Sequence, residues 1–118
     1  MIVAEPRFTR TAAKADEYAR IRSGSDIPFL FGMLYHIFKN GWEDKKYIHD
    51  RVYGMDKVRE DVLAKWTPDK VFDACGVKED QMLRIATMMS ENRPSTLVWC
   101  MGQTQHSIGS AMVRASCI

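Results

Sequence analysis

The sequence lacks the features that mark membrane proteins, disulfide-rich secreted proteins and metal-cluster proteins. No apolar run approaches the roughly 20 residues that a membrane-spanning helix requires. The three cysteines, Cys75, Cys100 and Cys117, form no Cys-x-x-Cys pair and are odd in number, which predicts neither a disulfide framework nor a zinc site. Residues 1–4 have no basic signal-peptide segment. We therefore expect a cytoplasmic protein with structural cysteines and no membrane partner.

An excess of charge of one sign is also lacking. The 17 Lys and Arg residues against 15 Asp and Glu give a net charge of +2, and the excess falls within residues 1–22. A nucleic-acid-binding domain needs a broad basic face, so the composition excludes nucleic acid as a partner. The small surplus suits either a few phosphates or a solvated helix face.

What the chain does contain is an alternation of short strands and helices. Three stretches are typical of strands, namely residues 2–4, 17–22 and 96–100. Helices are predicted at 9–15 with Thr9 as a candidate cap, at 27–40, at 68–75, at 78–91 and after Gly102 with Thr104 or Ser107 as the cap. Two surface helices are predicted between 43 and 65, separated at Gly54, with Val58, Val62 and Leu63 facing inward. This order predicts an α/β fold with a partial Rossmann-like parallel sheet of about three short strands and several helices.

The domain organisation follows from the narrowness of that sheet. Three short strands leave open edges, so we expect residues 1–118 to be a single fragment excised from a larger α/β subunit. Residues 1–41 would form the first strand–helix–strand part and the next helix. Residues 42–94 would form a helical surface insertion, and residues 95–118 a strand, a glycine turn and a truncated helix.

Candidate binding residues lie where the predicted strands end, because ligands of open parallel sheets bind beyond the carboxyl ends of the strands. Glu5 can accept hydrogen bonds from ribose hydroxyls, and Arg7 can pair with a phosphate or stack on a base. An ionised Asp26 can accept the two parallel N–H donors of a guanine edge. Asp26 or Ser25 can also cap the following helix, and the two roles are compatible. Together with the glycine turn at 102–106, these residues predict a nucleotide-like ligand.

Longer motifs carry a family resemblance over essentially the whole chain. They are Glu-Pro-Arg-Phe-Thr-Arg-Thr-Ala-Ala-Lys-Ala-Asp at 5–16, Arg-Ser-Gly-Ser-Asp-Ile at 22–27 and Trp-Cys-Met-Gly-Gln-Thr-Gln-His at 99–106. In this order they resemble the catalytic subunit of molybdenum- or tungsten-dependent formate dehydrogenases, which are molybdopterin bis-guanine-dinucleotide oxidoreductases. The stretches 35–44 and 51–56 are most similar to the soluble NAD-linked branch. The resemblance implies a fragment of an enzyme that oxidises formate to carbon dioxide with loss of two electrons.

The resemblance also implies which residues contact the molybdopterin guanine dinucleotide. Nine are implied: Glu5, Arg7, Ser23, Gly24, Asp26, Gly102, Thr104, Gln105 and His106. The first two correspond to an acid-proline-arginine motif that contacts a guanosine, with Glu5 replacing the usual Asp. The turn at 23–26 corresponds to the guanine-reading motif. The last four correspond to a turn that lies against the pterin and its phosphates, where His106 has either a cofactor contact or a role in capping and packing.

Several family features are missing from these 118 residues. No cysteine is followed by histidine, as the family's metal ligand is, and there is no Arg-Gly-Gln tripeptide and no four-cysteine cluster motif. We therefore expect no catalytic residue and no metal ligand here, and no activity of the isolated chain. In the full enzyme the resemblance implies a 4Fe-4S cluster, NAD, the remainder of the catalytic subunit, and iron–sulfur and flavin-containing partner subunits. The alternatives are another molybdenum oxidoreductase such as a nitrate reductase, or a non-catalytic nucleotide-binding module.

Overall fold

A computed structural model describes residues 1–118 as a mostly helical chain with one small sheet. The strands are β1 (Ile2–Ala4) and β2 (Glu17–Ala19), with a 3-10 helix at Ala12–Lys14 between them. The helices are α1 (Asp26–Asn40), α2 (Lys45–Arg51), α3 (Met55–Lys65), α4 (Pro68–Cys75), α5 (Glu79–Glu91), α6 (Met101–Thr104) and α7 (Gly109–Ser116). None of these helices combines the length and the apolar character needed to cross a bilayer.

The sheet consists of β1 and β2, which pair in parallel with Ile2 opposite Glu17 and Ala4 opposite Ala19. The connection passes through the 3-10 helix, which is shorter than the helix predicted at 9–15, and the Thr9 Oγ1 accepts a hydrogen bond from the Ala12 N–H at 3.1 Å. Two of the predicted strands are thus confirmed, although β2 ends at Ala19 rather than at residue 22. Since the strands are parallel, their carboxyl ends lie at the same edge.

Helix α1 organises the core. It contacts α3, α4, α5 and α7, and it ends at Gly41, whose φ of 67° is the left-handed conformation that terminates helices. One buried face of α1 carries Phe29, Leu30 and Met33. The main core also includes Ala19, Ile21, Val71, Cys75, Val77, Met82, Ile85 and Ala115. The predicted helix at 27–40 is confirmed.

The predicted surface helices are present, with one error in their inward face. Helices α2 and α3 are separated at Gly54, as expected, and Val62 is buried. Leu63 was predicted to face inward, but its side chain is 37% exposed. In an α-helix adjacent residues are rotated by about 100°, so Leu63 points away from the core that Val62 enters. Helices α4 and α5 occupy the predicted ranges.

The third predicted strand is absent. Residues 95–99 make no backbone hydrogen bonds, and Leu97, Val98 and Trp99 are 43%, 84% and 40% exposed. A strand exists only when a neighbouring strand pairs with it, and β1 and β2 pair only with each other. Gly102, which was expected in a turn, lies within the short helix α6, and the last helix begins at Gly109 with Ile108 rather than Thr104 or Ser107 at its cap. The sheet therefore has two strands instead of about three.

Candidate functional site

The carboxyl edge of the sheet holds Glu5 firmly by its backbone. The Glu5 N–H donates to the Ala19 carbonyl at 3.1 Å, and the Glu5 carbonyl accepts a hydrogen bond from the Tyr18 hydroxyl at 2.9 Å. Its half-buried carboxylate accepts one long hydrogen bond, from the Arg7 N–H at 3.4 Å. The exposed Arg7 guanidinium makes no ion pair. This edge therefore offers a positioned carboxylate beside an unpaired cation.

The turn after β2 is anchored to the end of α4. The Arg22 N–H donates to the Cys75 carbonyl at 2.9 Å, and the Arg22 guanidinium donates to the carbonyls of Phe72 and Asp73. A cation at the C-terminal end of a helix satisfies carbonyls that have no partner within the helix. Gly24, exposed and with a φ of 79°, completes the turn in a conformation that side chains disfavour.

This turn leaves the Asp26 carboxylate available. Ser25 occupies the cap position of α1, but its hydroxyl donates to the Arg22 carbonyl at 2.6 Å and caps no helical N–H. Asp26 is the first helical residue, is partly exposed, and makes no side-chain hydrogen bond or ion pair. Neither side chain therefore acts as a cap, and the Asp26 carboxylate has no partner within the chain.

The third predicted stretch lies on α6 and is attached to α7. Gly109 allows this close packing, because a Cβ atom there would clash with the Thr104 carbonyl oxygen. The Ser116 Oγ donates to the Gln103 Oε1 at 2.9 Å, which also joins the two helices. The predicted residues of this stretch are all exposed, namely Gly102, Thr104, Gln105 and His106. Glu5 is thus bonded to the end of β2, the 23–26 turn follows β2 further along the chain and is anchored to α4, and 102–106 belongs to the α6–α7 unit.

The cysteines and histidines take different environments. Cys75 is fully buried, and this burial raises the pKa of its thiol, so it is an inert core residue as predicted. Cys100 and Cys117 are exposed instead, because the strand expected to bury Cys100 does not form. His36 is buried within α1, and His49 lies on the surface beside Asp50. No three His, Cys, Asp or Glu side chains are grouped so as to hold a metal ion.

Sequence reasoning missed one large feature, an open apolar groove of about 880 Å³ that contains none of the nine predicted residues. Its floor is Leu34, Ile37 and Phe38 of α1, and α2 and α3 form one wall. We call it the α2–α3 groove. The apolar positions of α2 and α3 indicated only that one face is covered, since a groove arises from how separate helices are placed.

Relatives of this chain are found over nearly its whole length. It is 32% identical over 117 residues to the F420-dependent formate dehydrogenase subunit alpha of Methanocaldococcus jannaschii, covering 99% of this chain and 17% of that subunit. It is 32% identical over 114 residues to a nitrate reductase of Synechocystis, covering 97% and 16%. The acetylene hydratase of Pelobacter acetylenicus has the same fold, with a TM-score of 0.92 and 26% identity over 98% of this chain and 16% of that one. No protein-family model matches.

Proposed function

Over nearly its whole length this chain is homologous to a segment of formate dehydrogenase α subunits, and from that relationship we propose that it is part of a formate dehydrogenase catalytic subunit. The complete enzyme would oxidise formate to carbon dioxide with loss of two electrons. The observation that carries the proposal is the match over 99% of the chain to an α subunit of which it spans 17%. Formate dehydrogenase subunits of Escherichia coli match as well, at 27–30% identity.

We propose that this segment holds the guanosine end of a molybdopterin guanine dinucleotide. The residues that follow the two strands fit such a group. Asp26 has an unpaired carboxylate that can accept both N–H donors of a guanine edge, which adenine cannot supply, and Glu5 is suited to ribose hydroxyls. Arg7 is an exposed cation for a phosphate or a base face. Ser23 and Gly24 shape the turn that presents Asp26.

The exposed residues of α6 and the following turn provide the remaining contacts in this proposal. Gly102 leaves open space around its backbone, with no atom within 4 Å of a Cβ built there. A pterin or phosphate can therefore approach the main chain closely at this point. Thr104, Gln105 and His106 would add side-chain donors.

The chemistry of the reaction would reside in the bound cofactor, which supplies a molybdenum or tungsten centre that accepts two electrons. The residues of this chain bind and orient it. The metal ligand and the substrate-binding groups would come from the remainder of the catalytic subunit. The electrons would pass to a 4Fe-4S cluster, iron–sulfur and flavin-containing partner subunits and NAD, in the cytoplasm. The isolated 118-residue chain is therefore expected not to oxidise formate.

The proposal is tested by Asp26→Asn in the full-length subunit that contains this chain. The amide replaces one acceptor oxygen by a donor, so it repels one of the two guanine N–H groups. A bidentate contact to a base is worth about 1–3 kcal/mol, which predicts a loss of cofactor affinity of roughly 5- to 150-fold. The guanine nucleotide released from the purified protein by acid is the measure, with formate oxidation as a second readout.

Asp61→Asn is the matched control, because Asp61 pairs only with Lys65 on the surface of α3. It should leave the guanine content unchanged. Full guanine content in the Asp26 variant would refute the assignment of that residue. If the wild-type enzyme reduces nitrate and does not oxidise formate, the nitrate reductase alternative is correct. If the 118-residue chain alone is stabilised by GMP in a thermal shift assay and no longer subunit carries it, the chain is a nucleotide-binding module.

A further inference from the structure

The α2–α3 groove is an apolar surface that nothing in the chain covers. Its floor residues Leu34 and Ile37 are only half-buried, although they belong to the central helix α1. Its rim carries exposed aromatic side chains: Tyr47 is 57% exposed and Tyr53 is 103% exposed. Contiguous exposed apolar surface of this kind marks an interaction site.

The accessible surface area of the whole chain also indicates that apolar surface is left open. Its radius of gyration is 13.9 Å, close to the value of about 13.5 Å for a compact domain of this length. Its accessible surface is 8054 Å², whereas a folded monomer of 13.6 kDa has about 6,600 Å². A compact body with this much surface has open grooves, and apolar groups along them remain in contact with water.

A buried carboxylate on the groove wall indicates the kind of group that covers it. The Glu43 side chain is only 5% exposed, and its Oε1 accepts a hydrogen bond from the Arg59 guanidinium at 2.7 Å. Its Oε2 is buried and has no hydrogen-bond partner, and the same is true of the Arg59 Nε. A buried acceptor without a donor is unfavourable. An occupant of the groove that carries an N–H or O–H group would satisfy the Glu43 carboxylate.

The position of the groove and the length of the related chains indicate the occupant. Cys117 and Ile118 line the groove, so a continuing polypeptide would leave residue 118 within it. The acetylene hydratase shares the fold over 98% of this chain, and so includes the helices around the groove, in a polypeptide of which this part is 16%. The surface that is open in this chain thus belongs to a fold that also occurs within a much longer polypeptide.

We propose that the polypeptide that follows residue 118 in the longer subunit fills the α2–α3 groove. This inference rests on the proposed function, in that it takes the chain to be a segment of such a subunit. Apolar side chains of that polypeptide contact Leu34, Ile37 and Tyr53, and one of its hydrogen-bond donors reaches the Glu43 Oε2. The groove is then an internal interface of the subunit rather than a ligand pocket.

Hydrogen exchange measured by mass spectrometry tests this proposal on two proteins, the 118-residue chain and the full-length subunit, both without cofactor. Backbone amides of residues 45–65 should exchange at least tenfold more slowly in the full-length subunit, because the added polypeptide covers α2 and α3. Equal exchange in the two proteins would overturn the proposal. Dimerisation of the 118-residue chain with these amides protected would also overturn it, in favour of a second copy as the occupant.

A pair of variants keeps the test specific to the groove. Tyr53→Asp places a charge in the groove at a fully exposed position, so it should leave the melting temperature of the 118-residue chain unchanged. In the full-length subunit it should remove most of the protection. Leu63→Asp is the control, since Leu63 is an exposed apolar residue of α3 that lies outside the groove. Protection that survives Tyr53→Asp would contradict the proposal.

This readout is independent of the reaction. If residues 45–65 are protected in the full-length subunit but the protein neither oxidises formate nor contains guanine nucleotide, the proposed function fails and the groove assignment stands. If the enzyme oxidises formate and these amides exchange equally fast in both proteins, the groove assignment fails alone.

Discussion

His36, which is 4% exposed on the buried side of α1, is a residue whose ionisation the fold changes. Burial lowers its pKa, Lys39 lowers it further, and Glu79 at the start of α5 opposes these effects. The folded chain therefore holds this imidazole neutral where an unfolded chain would bind a proton. Its ring also packs edge-on against Tyr35, with centroids 5.4 Å apart. We assign His36 a structural role.

This predicts that the folded state loses stability as the pH falls below the ordinary histidine value of 6.5. Above that pH the imidazole is neutral in both the folded and the unfolded state, so it does not change the free energy of unfolding. Below it the unfolded chain binds the proton more readily, so the free energy of unfolding decreases until the pH reaches the lowered pKa of the folded state. Thermal melts of the 118-residue chain between about pH 8 and pH 5 should show the decrease.

Two variants isolate the effect. His36→Gln should flatten this part of the profile, whereas His49→Gln should not, because His49 lies on the surface. Asp16 and Asp80 have lowered pKa values too, but those lie below the ordinary value of 3.8, outside the range of the experiment. A slope that persists in His36→Gln would contradict the interpretation.

At the scale of elements, the close packing of α1 against α4 and α5 depends on a glycine. A Cβ atom at Gly32 would lie 2.7 Å from the Val71 Cγ1 and 3.1 Å from the Met82 Cε. Methionine is flexible and can move, whereas the β-branched Val71 has little rotamer freedom in a helix. The position of α4 on α1 is therefore set by the absence of a side chain at residue 32.

Gly32→Ala is predicted to destabilise the chain by about 1 kcal/mol, because overpacking costs roughly 1–3 kcal/mol and alanine recovers about 1 kcal/mol in helix propensity. Urea unfolding followed by circular dichroism measures the change. Gly102→Ala is the control, since nothing lies within 4 Å of a Cβ there, and it should not destabilise. In a Val71→Ala background the penalty of Gly32→Ala should disappear. A penalty that remains in that background would contradict the explanation.

The elements also show where reasoning from sequence works. The bounds of α1, α4 and α5 were predicted well, because glycines and prolines at their ends act locally, as Gly41 and Gly76 do. The strand at 96–100 was predicted wrongly. Its apolar, β-branched residues favour a strand, but a strand forms only when a distant segment pairs with it. At the candidate site the turn at 23–26 was found from sequence. The hydrogen bonds that anchor this turn, from Arg22 to carbonyls of α4, were not predicted, because the residues they join are far apart in the chain.

At the scale of the whole molecule, little of the chain is removed from water. Only 21 of 118 residues are buried, and large apolar side chains such as Phe8, Val98 and Met101 are more than half exposed. Hydrophobic burial is the dominant favourable contribution to folding, so a chain that leaves this much apolar surface exposed has little to offset its conformational entropy.

We therefore predict that the 118-residue chain alone melts below about 50 °C, at the low end for domains of this size, and binds a dye that fluoresces on exposed apolar surface. Differential scanning calorimetry and dye fluorescence measure both properties. The full-length subunit serves as the reference and should melt higher with less dye bound. A cooperative transition of the isolated chain well above that temperature would show that the exposed apolar surface does not limit its stability.

The sequence by itself determined helices α1 to α5, the first two strands and the family resemblance. Each of these depends on local periodicity, on capping residues or on motifs that are contiguous in the chain. The tertiary structure alone decided that residues 95–99 remain unpaired, that 102–106 packs with α7, and that the α2–α3 groove exists. Those outcomes depend on which distant segments meet, and contacts between distant segments leave no local pattern in the sequence.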